Sequence, residues 1–366
     1  MDMHEEREYL YWLCHVGYLG AAKIKKLYDW EGSYKRIYNI EGTQLEAAGI
    51  LNQKEAGLFD GYKKDLENCR KELEGLEKRG ISFVTSHDKE YPRRLLEIHG
   101  YPRGIFVKGR LPEEERPSAA IIGARSCTNY GRQMAAHIAG ELSRAGVQII
   151  SGLADGIDGA GHNGALEAGG YTCGVLGCGI NICYPRENYG LYERMALQGG
   201  VLTEFMPKEA PKPFHFPMRN RIISGLSDVI LVMEAREKSG SLITAGLGLE
   251  QGKDIFALPG RVTDPLSVGC NRLISEGAGV LLGADSVLEY FQLQNGKILR
   301  VHEKNENGLA KEEKMLYSCL DLQPKNLEKI IELSGLSVSD CMSALLELEW
   351  KGLVIQTSHQ YYGKKL

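Results

Sequence analysis

A succession of short apolar runs between Ser118 and Tyr290 constrains the fold of this chain more than any other feature. The runs are rich in Val, Ile and Leu without period-two alternation, and most end at a glycine-bearing turn and precede a helix-like segment. Such runs are typical of strands buried on both faces, and strand followed by helix predicts a parallel, doubly wound α/β sheet. The predicted strands are SAAIIG, VQIISG, TCGVLG, VLTEF, DVILVME, DIFALPG and GVLLG, which end at Gly123, Gly152, Gly177, Phe205, Glu234, Gly260 and Gly283.

The segments that flank this core suggest additional domains, since 366 residues are too many for one comfortable core. Residues 1–62 read as short helices, with Gly17 and Gly20 between two apolar-periodic segments. This pattern fits either a helix-hairpin-helix or sterile-alpha-motif-like module that touches DNA, or a small packing domain. Residues 63–292 are expected to form the sheet domain, with two further strands around the Tyr-Pro dipeptides, and residues 293–310 a polar linker.

Residues 311–366 carry three helical patterns and a tail that fits a β-wing, which together predict a small winged-helix domain. Asn326 and Ser337 are candidate N-caps. The third helical pattern, at the position of a recognition helix, carries Asp340, Glu347 and Glu349 against Lys351 alone, which is a poor surface for phosphate. We therefore expect this domain to bind protein or to regulate.

The composition of the chain limits the classes of function that it can have. A net charge of −4 gives no global attraction to polyanions, so a nucleic-acid surface has to be a local patch. The N-terminus lacks a signal-peptide pattern and no run of about 18 apolar residues occurs, so we expect a cytoplasmic protein that does not enter the membrane. Nine cysteines fit reduced thiols, and the spacing of Cys173, Cys178 and Cys183 does not fit a metal site.

The predicted strand ends carry residues suited to binding anions, and ligands bind beyond the carboxyl ends of such strands. After the first strand, Gly123 permits a tight turn, and Arg125 and Ser126 follow at a helix start. After the second, Ser151 and Gly152 begin a possible nest of backbone amides. Asp155 and Asp158 fit either a ribose contact or a helix N-terminus, and the sequence identifies no catalytic partner for His162.

The stretch after the fourth strand interleaves basic and aromatic residues, which is typical of a groove for a single nucleic-acid strand. A loop packed by its own phenylalanines is the alternative. The fifth strand leads to a second anion cradle at a helix start. The residues singled out in these two stretches are Lys212, Phe214, Phe216, Arg219, Asn220 and Arg221, and Ser239, Gly240, Ser241 and Thr244.

Two nucleotide-binding motifs are missing from the sequence. Neither GARSCTNYG nor GCGINICYPR completes the G-x-G-x-x-G pattern of dinucleotide-binding proteins, and G-x4-G-K-[ST] is absent. Several anion cradles along one edge exceed the need of one small ligand. A polymer of phosphates would use all of them.

Six sequence blocks resemble the DNA-processing protein A (DprA/Smf) family in order and spacing, from about Tyr91 to Tyr290. They are GARSCTNYG, SGLADGIDGAGHNGAL, GCGINICYPR, FHFPMRNRIISGLSD, EAREKSGSLITA and ALPG. The two ends of the chain match the family more loosely. One departure is Ala124, where the family often has serine or threonine.

The resemblance implies an extended Rossmann domain that binds and protects single-stranded DNA, forms a homodimer, and loads RecA recombinase in natural transformation or homologous recombination. It implies neither catalysis nor a cofactor. The residues that would line the groove by motif are Arg125, Arg186, Lys212, Phe214, Phe216, Arg219 and Asn220, with a phosphate held by Ser239, Gly240 and Ser241.

Two other function classes compete with this interpretation. Phosphoribohydrolases that resemble lysine decarboxylases carry a P-G-G-x-G-T-x-x-E block, whereas this chain reads KSGSLITAGLGLE, with Glu250 displaced. The third class is a protein-binding adaptor built on the winged helix.

Overall fold

The computed structural model describes residues 3–295, 310–321, 324–358 and 360–364. The chain forms two compact units, Met1–Arg300 and Val301–Leu366, which we describe separately. Most of the expected linker, from residue 296 to 309, lies outside the described residues.

The first unit begins with six helices that pack onto one end of a sheet. Tyr11 on the first helix contacts Phe83 and Phe106 of the first two strands, with ring centroids 5.5 and 5.9 Å apart. Helices and strands thus share one hydrophobic core, and the boundary between modules 1–62 and 63–292 stays a prediction. The helices are α1 (Met3–His15), α2 (Ala21–Glu31), α3 (Tyr34–Asn39), α4 (Gly42–Ala47), α5 (Gln53–Tyr62) and α6 (Leu66–Glu77).

The sheet has nine strands in the order β1-β2-β6-β5-β4-β3-β7-β8-β9. β1 pairs antiparallel with β2, and β2 with β6, whereas the other neighbours are parallel. The mostly parallel, Rossmann-like sheet predicted from the sequence is therefore confirmed. The strands are β1 (Ile81–Thr85), β2 (Gly104–Gly109), β3 (Ser118–Ile122), β4 (Gln148–Ser151), β5 (Thr172–Val175), β6 (Gly200–Thr203), β7 (Val229–Val232), β8 (Asp254–Ala257) and β9 (Gly279–Val280).

The strand order reverses at β3. From β3 the chain adds β4, β5 and β6 on one side and then returns to place β7, β8 and β9 on the other. Loops that leave β3 and β7 therefore diverge, and such a switch point opens a crevice at the carboxyl ends of the strands. The helices that follow are α7 (Arg93–Leu96), α8 (Asn129–Arg144), α9 (Ile157–Glu167), α10 (Tyr189–Gln198), α11 (His215–Gly225), α12 (Gly240–Glu250), α13 (Val268–Ser275) and α14 (Ala284–Asn295).

The second unit is a winged helix, as predicted. Asn326 and Ser337 are the N-caps of their helices, accepting from the amides of Glu328 at 2.9 Å and Asp340 at 3.2 Å. A buried cluster that includes Leu316, Ile330 and Leu345 forms its core. Its elements are α15 (Lys311–Cys319), β10 (Lys325–Asn326), α16 (Leu327–Ser334), α17 (Val338–Trp350), β11 (Val354–Ser358) and β12 (Tyr361–Lys364). Within the described ranges, no helix combines the length and apolarity that spanning a bilayer requires.

Two helical glycines provide a matched test of the packing between α8 and α9. A Cβ at Gly164 would overlap the carbonyl oxygen of Ala136, whereas a Cβ at Gly246 on α12 would meet no heavy atom within 4 Å. We expect Gly164→Ala to destabilise the protein by about 1–3 kcal/mol through overpacking. Gly246→Ala should stabilise it by about 0.5–1 kcal/mol, since alanine loses less backbone entropy in a helix. Urea denaturation measures both, and a Gly164→Ala protein as stable as the parent would contradict the close approach.

Candidate nucleic-acid interface

A cavity of about 630 Å³ opens at the switch point of the sheet. It is bounded by the loop after β3, the start of α11, the loop after β7 and the first turn of α12. Of the residues predicted from the sequence, it brings together Gly123, Arg125, Ser126, Phe216, Arg219, Asn220, Ser239, Gly240, Ser241 and Thr244.

The first turn of α12 is the open anion cradle of this cavity. Ser239 occupies the N-cap position with φ −127° and ψ 145°, but its side chain makes no capping hydrogen bond. Its hydroxyl lies 2.7 Å from that of Ser241. The amides of an uncapped first turn and the helix dipole favour a bound anion, and two neighbouring hydroxyls add donors.

The other two predicted cradles are occupied by groups of the protein itself. At the start of α8, the carboxylate of Glu234 accepts from the Thr128 amide at 2.8 Å and from the Thr128 hydroxyl. At the start of α9, Asp158 accepts from the Gly152 amide at 3.1 Å. These donors are already bonded, so they shape the strand ends rather than offer themselves to a ligand.

Arg219 lies across the carboxyl ends of β4 and β5 rather than on the surface. Only 5% of it is exposed, and its Nη1 donates to the carbonyl oxygens of Gly152, at 2.7 Å, and Val175. Gly152 has no room for a Cβ, which would overlap the guanidinium. Burial lowers the pKa of Arg219 to about 10, although the carboxylate of Asp158 opposes this effect.

Burial also raises the pKa of Asp158, and the charge of Arg219 opposes the rise. These two buried, oppositely charged groups of the cavity lining thus interact electrostatically. Each stabilises the charged form of the other, and loss of either would leave an uncompensated charge in the interior.

Phe216 forms an aromatic surface between cations. The guanidinium carbons of Arg125 and Arg219 lie 5.2 and 6.0 Å from its ring centroid, and the Tyr184 ring lies 5.5 Å away. Tyr184 is 44% exposed. Exposed aromatic faces beside cations are what unpaired bases need for stacking.

The cavity carries a positive excess although the whole chain is acidic. Its lining includes Arg125, Arg219, Arg236 and Lys238 against the carboxylate of Asp158. Such a local patch attracts a phosphate chain despite the overall charge of −4.

Six predicted residues lie outside the cavity lining. Arg221 forms a bidentate pair with Glu204 at 2.5 and 2.6 Å, and Ser151 donates its hydroxyl to the Ile121 carbonyl at 2.6 Å. The buried Gly152 shapes the strand end. The remaining three, Arg186, Lys212 and Phe214, are exposed beyond the cavity.

The lining residues that the sequence did not predict include two cations and an exposed aromatic residue, Arg236, Lys238 and Tyr184. Each lies inside one of the blocks that carry the family resemblance, at YPR or EAREKSGS. Arg186 and the serines of those blocks drew attention instead, because a strand-end pattern does not say which side chains face inward. Over the part of the chain that the structure describes, no group of three His, Cys, Asp or Glu side chains is arranged to hold a metal.

Comparison with known families identifies this arrangement. A family model described as DNA recombination-mediator protein A matches residues 82–292, and one described as DprA winged helix domain matches residues 302–358. The chain belongs to the DprA family.

Individual members of the family are similar to this chain in sequence and structure over most of its length. DprA of Bacillus subtilis is 39% identical over 260 residues, which cover 71% of this chain and 85% of the relative. The X-ray structure of Streptococcus pneumoniae DprA superposes with a TM-score of 0.68 at 34% identity, covering 77% of this chain and 97% of that one.

A further solved structure in the family is that of DNA processing protein A from Helicobacter pylori, whose description refers to its unique single-stranded DNA binding mode. It matches this chain with a TM-score of 0.52 at 27% identity. The match covers 58% of this chain and 96% of that one.

Replacing Arg219 by methionine should make the free energy of unfolding more sensitive to pH. In Arg219→Met the pKa of Asp158 rises further, because the opposing positive charge is gone. A carboxyl with a raised pKa in the folded state loses stability as pH rises, so we expect a penalty of about 3–5 kcal/mol at pH 7.5 that shrinks towards pH 5. Urea denaturation at both pH values measures it.

The control for this experiment adds Asp158→Asn to Arg219→Met. Asparagine keeps an acceptor for the Gly152 amide but does not titrate. The extra pH dependence should disappear in the double variant, and an equal penalty at both pH values in the single variant would contradict the pair.

Proposed function

We propose that this protein binds single-stranded DNA along the carboxyl edge of its sheet, with a phosphate on the first turn of α12 and bases against Phe216 and Tyr184. The observation that carries the proposal is the uncapped start of α12 beside Arg125, Arg236 and Lys238. Cations for the backbone and aromatic faces for unpaired bases are the two elements of a single-strand groove.

The exposed residues beyond the cavity extend this path. Lys212 lies 5.8 Å from the ring centroid of Phe214, which is 58% exposed. Lys212 is also ion-paired with Glu209 at 3.0 Å, so a phosphate would have to compete with that carboxylate. Arg186 is exposed on the short 3₁₀ turn Arg186–Asn188. A strand longer than the cavity would reach these residues.

We also propose that the bound strand is protected and passed to RecA recombinase, in natural transformation or in general recombination, and that the protein acts as a homodimer. The family description as a recombination mediator supports this step. RecA filament formation on DNA coated with a single-strand-binding protein tests it, with and without this protein. Sedimentation tests the dimer.

Two carboxylates, of which Asp158 lines the cavity, support binding rather than hydrolysis. Asp158 and Glu234 are engaged with amides of the protein itself. Glu250 stands at the far end of α12, about 15 Å along the helix from the cradle. Incubation with nucleoside monophosphates tests the phosphoribohydrolase alternative, and release of free base would favour it.

Charge reversal at Arg125 should weaken binding for all sequences alike, because phosphate contacts carry no base information. We expect Arg125→Glu to lower the affinity for labelled oligothymidine by tenfold to hundredfold, which corresponds to about 1.5–3 kcal/mol for a charged hydrogen bond. Fluorescence anisotropy measures it. The matched control is Arg144→Glu, the same charge change at the C-terminal end of α8, a helix about 24 Å long whose N-terminus follows Arg125. Equal losses in both variants would overturn the site.

The salt dependence of the binding constant should report how many phosphates the groove neutralises. With Arg125, Arg236 and Lys238 at the cavity, log K for oligothymidine should fall by at least about 2 per decade of salt, or roughly 0.7 per phosphate. Lys238→Gln should reduce this slope by about 0.7. Anisotropy titrations at four salt concentrations measure the slope, and a duplex of equal length should bind more weakly. An unchanged slope in Lys238→Gln would show that Lys238 does not contact the bound strand.

A further inference from the structure

An apolar ridge runs along the outward side of α17 in the winged-helix unit. Val338, Met342, Leu346 and Trp350 recur every four residues, which places them in one row on a helix. Val338 is 60% exposed, Leu346 61% and Trp350 88%. A single exposed apolar side chain is common, whereas a row of several with polar neighbours is typical of an interaction site.

The side of α17 that packs against the core of the unit consists of other residues, so the ridge has no partner there. Cys341, Ala344, Leu345 and Leu348 are buried and fill the core of the unit. The ridge is therefore a second apolar row on a helix whose first row already has a partner. Burial in the winged helix itself does not account for it.

The charges on α17 itself disfavour phosphate as the ligand of the ridge. Val338–Trp350 contains no Lys, Arg or His, and Lys351, which follows, donates to both carboxylate oxygens of the buried Glu313 at 2.7 Å. Glu347 and Glu349 are exposed. At 3.6 residues per turn, they fall on opposite sides of Leu346 around the helix.

We propose that the ridge of α17 docks an amphipathic helix of a partner protein, whose apolar side chains face the ridge and whose flanks carry Lys or Arg. A row of four-residue spacing packs into the grooves of a second helix, with axes 8–10 Å apart in general. Basic flanks would meet Glu347 and Glu349. A second copy of α17 fits less well, because its own glutamates would face those of the first.

The size of the ridge sets the expected affinity. Stable complexes bury roughly 800 Å² per partner, and one row of four side chains presents less than that. Docking through this row alone should therefore be reversible, with a Kd on the order of 10–100 μM.

Trp350 supplies the reporter for a test on the full chain. Trp12 is fully buried, and Trp30→Phe removes the other exposed indole, so a change in emission reports on Trp350. The probe is a designed helical peptide of about 20 residues with a Leu ridge and Lys flanks. The control peptide keeps the ridge and carries Glu flanks.

We expect the Lys-flanked peptide to shift Trp350 emission to the blue in a saturable manner, and the Glu-flanked peptide to bind at least tenfold more weakly. Leu346→Ser should abolish the shift, whereas Leu197→Ser, a leucine 82% exposed on α10, should leave it unchanged. Equal binding of both peptides, or a shift that survives Leu346→Ser, would overturn the proposal.

Two further outcomes would identify a different occupant. Quenching of Trp350 by oligothymidine or duplex DNA, with the affinity lowered by Leu346→Ser, would make the ridge a nucleic-acid contact. A blue shift that grows with protein concentration in the absence of peptide, and that Leu346→Ser removes, would make it a contact between copies. Either result overturns the partner helix.

Discussion

The buried guanidinium of Arg219 is the interaction on which the candidate interface depends. It joins the carboxyl ends of β4 and β5 through the carbonyls of Gly152 and Val175 and lies 6.0 Å from the ring centroid of Phe216. Asp158 supplies the opposing charge and holds the Gly152 amide. Because a buried charge is stable only when paired and hydrogen-bonded, the strand ends and the floor of the cavity are held in one geometry.

This arrangement also explains how an acidic chain presents a basic surface. The carboxylates of Asp158 and Glu234 accept hydrogen bonds from amides of their own chain, whereas Arg125, Arg236 and Lys238 are exposed. The field at the cavity is therefore set by orientation rather than by composition. The winged-helix unit shows the opposite case, since its lysine nearest α17 is bound to Glu313 and its exposed helix face is apolar and acidic.

Much of the fold follows from local pattern. Continuous apolar strands separated by helices specify a parallel sheet, and the N-caps Asn326 and Ser337 stand where the sequence places them. A 3₁₀ turn at Lys63–Asp65 separates α5 from α6, and periodicity alone does not mark it. Leu66, Leu73 and Leu76 are nevertheless buried on one face, since amphipathic spacing survives such a turn.

The sequence by itself determined the family, the sheet, the edge at which the cavity opens and ten of the residues that line it, because motif spacing and hydrophobic period are local properties. Only the tertiary structure decided which donors remain open. The cradles at α8 and α9 are closed by Glu234 and Asp158, and Arg221 is held by Glu204. Two of these partners lie 17 and 106 residues from the groups they bind. Whether a cation or an amide is free depends on partners that folding brings together, and no local pattern encodes them.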